Sequence, residues 1–219
     1  MRTRIAQNLA GFGPAGTLVF LAICGASAVF TPAGAALVLV WAWLSLTPSR
    51  NIGLVRPGSW MNGLLLGVLL GLSEKFILKA IILPLLGAPP AIAAFGDLAA
   101  NPRRTLFLVT YVIIGAGFCE ELIFRGYLFE RLGRLLGDSL LARCLIVALS
   151  TMFFAGLHYQ QGRYGVANAA ICGDIAGIVY IASRFRLLTV VVAHAAFDLS
   201  AIALNYFKLE ATLSHLFFG

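Results

Sequence analysis

Six side chains of this chain combine residue types and spacings that could do chemistry: Glu120, Glu121 and Arg125 in one apolar stretch, His158 at the end of another, and His194 with Asp198 in a third. Ionisable groups within hydrocarbon cost roughly 2.5 to 3.5 kcal/mol each on insertion scales, so each one in such a stretch is a functional hypothesis by default. Residues four apart share a helix face. Glu121 can therefore reach Arg125, and His194 can reach Asp198. Adjacent Glu120 and Glu121 point about 100° apart on an α-helix, so the spacing assigns Glu121 to the ion pair and Glu120 to a cavity. A carboxylate in an apolar cavity accepts a proton more readily than one in water, and an imidazole beside it could hold a water between them. Asp198 would fix the tautomer and orientation of His194, which then becomes a candidate for stabilising an oxyanion. Water, base and electrophile are what hydrolysis of an amide requires.

The elements that must position these groups are membrane helices. Of 219 residues, 60% are hydrophobic and 11% charged, with mean hydropathy +0.93, far from the composition of a soluble domain. The expected fold is all-α: a polytopic transmembrane bundle of about seven to eight spans around a buried polar cavity, a single integral-membrane domain over residues 1–219. A helix satisfies its own backbone in lipid, which is why helices are expected here. The net charge of +7 is spread over short connections, which argues for the positive-inside bias and against nucleic acid. With the N-terminus cytoplasmic, Arg2, Arg4, Arg50, Arg56, Arg131, Arg134, Arg143, Arg184 and Arg186 fall on one side. The expected location is a plasma (inner) membrane, with the lipid bilayer as partner. Arg2 and Arg4 before an apolar run reaching Ala26, Ser27 and Ala28 resemble a signal peptide, but that run continues well beyond and argues against cleavage. Cys24, Cys119, Cys144 and Cys172 lack CxxC spacing and imply no disulfide framework.

Along the chain, Thr17 to Leu46 reads as a hairpin of two short helices or one kinked helix, with Thr31-Pro32-Ala33-Gly34 at its middle. Trp60 to Leu86 is one long helix or breaks near Ser73. Its Glu74, Lys75 and Lys79 read as snorkelling or paired charges. Gly87 to Arg104 is a loop. Leu106 to Leu128 carries the acidic pair, Cys144 to His158 follows, then Val166 to Ser183 with small residues that permit close approach, and finally Leu187 to Phe207. Trp41, Trp43 and Trp60 read as interfacial anchors, His215 as interfacial, and Asp174 as a structural acid within a span. At about 1.5 Å per residue, Glu120 lies roughly 16 Å from Arg131, His158 roughly 22 Å from Arg143 and His194 roughly 12 Å from Arg186. All three depths cluster about the middle of a core about 30 Å thick.

Glu120, Glu121 and Arg125 fit EExxxR, and EELIFRGYLFERL resembles the first motif of the CPBP family, the CAAX-protease and bacteriocin-processing intramembrane proteases. Phe154 and His158 in STMFFAGLH are similar to its FxxxH motif, and His194 and Asp198 in AHAAFD to its HxxxN or HxxxD motif. The likeness runs from about Gly115 to Ser200, inside a CPBP-like core of about 105–207. It implies an intramembrane endopeptidase acting on a membrane-associated protein or peptide, with a prenylated CAAX-type C-terminus among the candidates. By that resemblance Glu120 is the base, His158 its water-binding partner, and His194 with Asp198 the oxyanion side; Glu121, Arg125 and Phe154 support them. Asp198 stands where the CAAX branch has Asn, and an ionised Asp cannot donate to an oxyanion.

Bland readings stand beside each: Glu120 as a structural acid, His158 as a helix-end histidine, His194 and Asp198 as an interhelical pair, Phe154 as packing. No cofactor is favoured. Zinc on Glu120, His158 and His194 is neither supported nor excluded by spacing, since there is no HExxH. A proton- or solute-coupled transporter, or a non-catalytic immunity or scaffold member of the same fold, are the competing classes. A transporter of this size can show paired broken helices in an internal repeat, and the sequence shows no convincing one.

Overall fold

The computed structural model describes residues 2–88 and 98–216, and among these the chain is helical with no strand. The order is α1 (Arg2–Ala10), α2 (Pro14–Val29), α3 (Thr31–Leu44), α4 (Trp60–Ile77), α5 (the continuous rod Pro102–Leu136), α6 (Leu140–Leu157), α7 (Gly162–Ala182), α8 (Leu187–Tyr206) and α9 (Glu210–Ser214). Of these, α5, α6, α8 and the run Tyr159–Ala182 containing α7 are long and apolar enough to cross a membrane. A fifth span results if α1 and α2, bent by 58°, count as one. That is fewer than the seven to eight expected from hydropathy alone, because the N-terminal apolar stretch is divided into shorter helices. Pro89 and Pro90 of the expected Gly87–Arg104 loop lie outside the described residues.

The Thr17–Leu46 stretch resolves as a hairpin. Phe30 is extended (φ −154°) and ends α2, while Pro32 starts α3 from its first turn, where a missing N–H costs nothing. The two helices lie in close contact at Gly34, whose absent Cβ would sit 2.1 Å from Ser27 Oγ. Helix α4 is capped by Ser59, which accepts from Asn62 N. It does not break at Ser73 but runs on through a π-wound turn, Leu78–Ile82, to Leu85.

Helix α4 packs along α8 through Gly63, Gly67 and Gly71. A side chain at any of them would strike Leu188, Val192 or the Ala193 carbonyl. Small residues at fourfold spacing allow this approach. The same spacing continues to Lys75 and Lys79, so their side chains follow the glycine face. The core sits where α2, α3, α6 and α8 enclose the middle of α5, around Ile23, Val38, Trp41, Phe124, Tyr127 and Phe154.

Trp41 corrects the interfacial expectation. It is 2% exposed, stacks edge-on against Tyr127 and donates to the Leu9 carbonyl at 3.0 Å. Arg131, fully buried, donates to the Ala10 carbonyl and, at 2.8 Å, to that of Gly11. Carbonyls at the end of α1 have no intrahelical partner; these two side chains supply one. Trp43 and Trp60, by contrast, are exposed. Asp174 is exposed on α7 and turns away from the interior.

Candidate active site

The acidic pair sits in a part of α5 that is not α-helical. Val112–Glu120 and Leu122–Tyr127 are wound as π-helix, a form concentrated at functional sites. Gly117 lets the rod lie against Val191 and Ala195 of α8. Ser150 of α6 donates to the Phe124 carbonyl at 3.0 Å, which gives that carbonyl a partner outside its own helix.

Glu121 is completely buried. Its Oε1 accepts from Arg125 Nη1 at 2.9 Å and meets His194 Nδ1 at 2.7 Å. Arg125 also donates through Nη2 to the Gly173 carbonyl of α7 at 3.0 Å, and its guanidinium lies 5.0 Å from the centre of the Phe154 ring. One carboxylate thus ties α5 to α8, and one guanidinium ties it to α7. A buried pair of this kind is costly to break from one side only, about 3 to 5 kcal/mol.

Glu120 takes the other direction. Its Oε2 is buried without a hydrogen-bond partner among the described residues and stands 3.8 Å from His194 Nε2. Asp198 Oδ2 stands 3.7 Å from the same nitrogen. Both are beyond hydrogen-bond length, so the expectation that Asp198 fixes the His194 tautomer is corrected. Glu121 holds the ring by Nδ1, and Asp198 only flanks Nε2. The physical reason is reach: a side chain one turn along α8 comes alongside the ring, whereas Glu121 approaches its Nδ1 head-on from α5.

His158 ends α6 with its Nδ1 against the Phe154 carbonyl at 2.8 Å. Since a carbonyl only accepts, Nδ1 carries the proton and Nε2 is left as the acceptor of the neutral ring. Phe154 packs against both imidazoles, its ring centre 4.6 Å from that of His158 and 6.0 Å from that of His194. The same ring therefore touches both histidines and seats Arg125.

All of these groups line one cavity of about 640 Å³. Glu121 and Arg125 form its wall at the α5 end, and Gln160, Gln161 and Tyr164 line it where the chain passes from α6 to α7. The structure brings Glu120, Glu121, Arg125, Phe154, His158, His194 and Asp198 together there. It adds Glu74, Lys75 and Lys79, which sequence reasoning placed near an interface. Lys75 Nζ sits 4.3 Å from the Phe197 ring centre, and Glu74 Oε1 is buried without a hydrogen-bond partner among the described residues. The fourfold spacing from Gly63 through Gly71 was the signal that could have found the lysines. No three His, Cys, Asp or Glu side chains among the described residues are grouped so as to hold a metal ion.

Residues 102–200, just under half of the chain, match the family model described as Type II CAAX prenyl endopeptidase Rce1-like. The match agrees with the CPBP resemblance of EExxxR, FxxxH and HxxxD, and it supports an intramembrane protease acting on a membrane-associated protein or peptide. No curated protein and no solved structure matches the chain.

Proposed function

We propose that this protein is an intramembrane endopeptidase that hydrolyses a peptide bond near the C-terminus of a membrane-associated substrate, with prenylated CAAX-type chains as the leading class. One observation carries the reading: residues from three separate motifs meet at one cavity, where a Glu120 oxygen without a hydrogen-bond partner among the described residues stands 3.8 Å from His194 Nε2.

A water between Glu120 and Nε2 of His158 gives its proton to Glu120 as its oxygen attacks the substrate carbonyl carbon. The carbonyl π pair moves to oxygen, forming a tetrahedral oxyanion. His194, donating Nδ1–H to Glu121, presents Nε2–H to that oxyanion when doubly protonated. Collapse of the intermediate breaks the C–N bond, and the proton held on Glu120 passes to the leaving amine. Arg125 holds Glu121 in place through the Nη1–Oε1 bond. Asp198 flanks the Nε2 side and tunes its field without bonding to it. In this reading α2, α3 and α4 also cross the bilayer beside the four long spans, making seven crossings, and the N-terminus lies in the cytoplasm of an inner-membrane protein.

The test is purified protein in liposomes, offered membrane peptides that include a prenylated CAAX C-terminus. Wild type is expected to cleave, and Glu120→Ala and His158→Ala to lose at least about 10³-fold in rate. A parallel assay with chelator reports on metal. If no peptide is cleaved while solute or proton flux depends on Glu120 and His158, the chain is a transporter and the protease reading is wrong. Absence of both activities would place it with non-catalytic members of the fold.

A further inference from the structure

A second cavity of about 570 Å³ lies at the opposite ends of the helices, where α5, α6, α7 and α8 meet the turn Ser49–Ile52. Arg50, Arg143, Arg184 and Arg186 line it, together with Glu130 and Asp138. The two carboxylates are already engaged. Asp138 accepts from Arg143 Nε and Nη2 at 2.9 and 3.0 Å, and those bonds hold its carboxyl below the usual carboxylate range. Glu130 accepts from Arg134 at 2.6 Å and from Asn51 at 3.2 Å. Arg50, Arg184 and Arg186 have no ion-pair partner among the described residues. Three guanidiniums about one cavity repel one another, and an anion between them removes that cost.

The backbone points the same way. Arg184 and Phe185 both lie in the left-handed region, at φ 57° and 58°, a conformation that costs a non-glycine residue about 1 kcal/mol or more. The turn is pinned there by Phe185 N to the Tyr180 carbonyl at 2.9 Å, Leu187 N to the Gly53 carbonyl at 3.1 Å, and Ser183 Oγ to the Arg186 carbonyl at 3.1 Å. Strain of this kind is held where a side chain must be aimed. Val55, Phe129, Ile146, Ile181 and Phe185 give the cavity an apolar wall as well.

We propose that this cavity binds the phosphate of an anionic phospholipid, with Arg50, Arg184 and Arg186 on the headgroup and the apolar wall against its glycerol and first methylenes. Planar guanidiniums suit phosphate oxygens, and basic pockets between membrane helices take anionic headgroups. Free phosphate would satisfy the arginines but not the apolar wall, which is why lipid is the chosen source.

The experiment measures thermal stability and retained lipid of the purified chain in neutral detergent, with phosphatidylglycerol, phosphatidylcholine or inorganic phosphate added. Phosphatidylglycerol is expected to raise Tm and stay bound, and phosphatidylcholine to do neither. Arg184→Gly keeps the left-handed backbone while removing the guanidinium, so it should fold at least as well yet bind about fivefold more weakly. Arg50→Gln, on a separate element, should lose a similar factor. Arg2→Gln with Arg4→Gln, basic residues outside the cavity, should bind as wild type. Equal stabilisation by phosphatidylcholine, full stabilisation by inorganic phosphate, or equal loss in the Arg2 and Arg4 variant would each overturn the proposal. None of these outcomes depends on peptide cleavage.

Discussion

A single oxygen of Glu121 serves two partners, Arg125 Nη1 at 2.9 Å and His194 Nδ1 at 2.7 Å. It joins the rod to α8 by a charge and, through the same atom, sets which nitrogen of His194 carries its inward proton. Stability and catalysis should therefore separate by substitution. Glu121→Gln keeps the shape but removes the charge that orients the ring, and kcat should fall by roughly 10²- to 10⁴-fold with little change in KM. Glu121→Ala removes the acceptor oxygen that Gln keeps as well as the charge, and should lose about 3 to 5 kcal/mol of stability, more than Glu121→Gln. Thermal unfolding and steady-state cleavage on the two variants check this; equal effects on Tm would sink the separation.

Asp198 ranks lower than Glu121 because its Oδ2 is 3.7 Å from Nε2. Asp198→Asn should change kcat less than about tenfold, in either direction, against the far larger loss at Glu121. A loss at Asp198 matching that at Glu121 would mean that Asp198 bonds to His194 in the working enzyme.

The glycine face of α4 makes a geometric prediction. A Cβ at residue 71 would stand 2.1 Å from the Ala193 carbonyl oxygen and 3.0 Å from Ala196 Cβ. Gly71→Leu must push α4 from α8 immediately before His194, at about 1 to 3 kcal/mol, and should lower both Tm and cleavage. Gly133→Ala, with nothing within 4 Å of its Cβ, should be neutral or stabilise by up to about 1 kcal/mol. Unchanged behaviour of Gly71→Leu in both assays would contradict the packing.

Arg131 and Trp41 hold the end of α1 by its Leu9, Ala10 and Gly11 carbonyls. Arg131→Met should cost about 2 to 5 kcal/mol, since hydrogen bonds from a charged donor are worth about 1.5 to 3 each. Limited proteolysis near Phe12 should speed up at least tenfold. Cleavage of peptide per folded molecule should be retained.

Much of the site was legible because it follows from spacing. Glu121 and Arg125 at i and i+4 form the expected pair, and the hairpin at Thr31 follows from a proline that can only begin a helix. What spacing could not show is winding and reach. The sequence around Ile113 to Glu120 reads as α-helix, since nothing in residue type marks a π turn, and spacing within one helix pairs His194 with Asp198, since it carries no information on contacts between helices such as that of His194 with Glu121. Trp41 looked interfacial because an indole is amphipathic in any sequence, and only the approach of α1 supplies it with a buried acceptor. Lys75 and Lys79 looked peripheral because their charge outweighed their place in the glycine series.

The π winding of α5 has a consequence for how its two halves may change. Each such turn winds one residue more than an α turn into about the same height, so removing one residue between Val112 and Glu120 would let that part relax to α winding with its flanking faces still nearly in phase. The same deletion in the α-wound stretch Leu128–Leu136 would turn everything after it by about 100° against everything before it. The rod can therefore absorb a lost residue on the side of the acids and not on the side of Arg131.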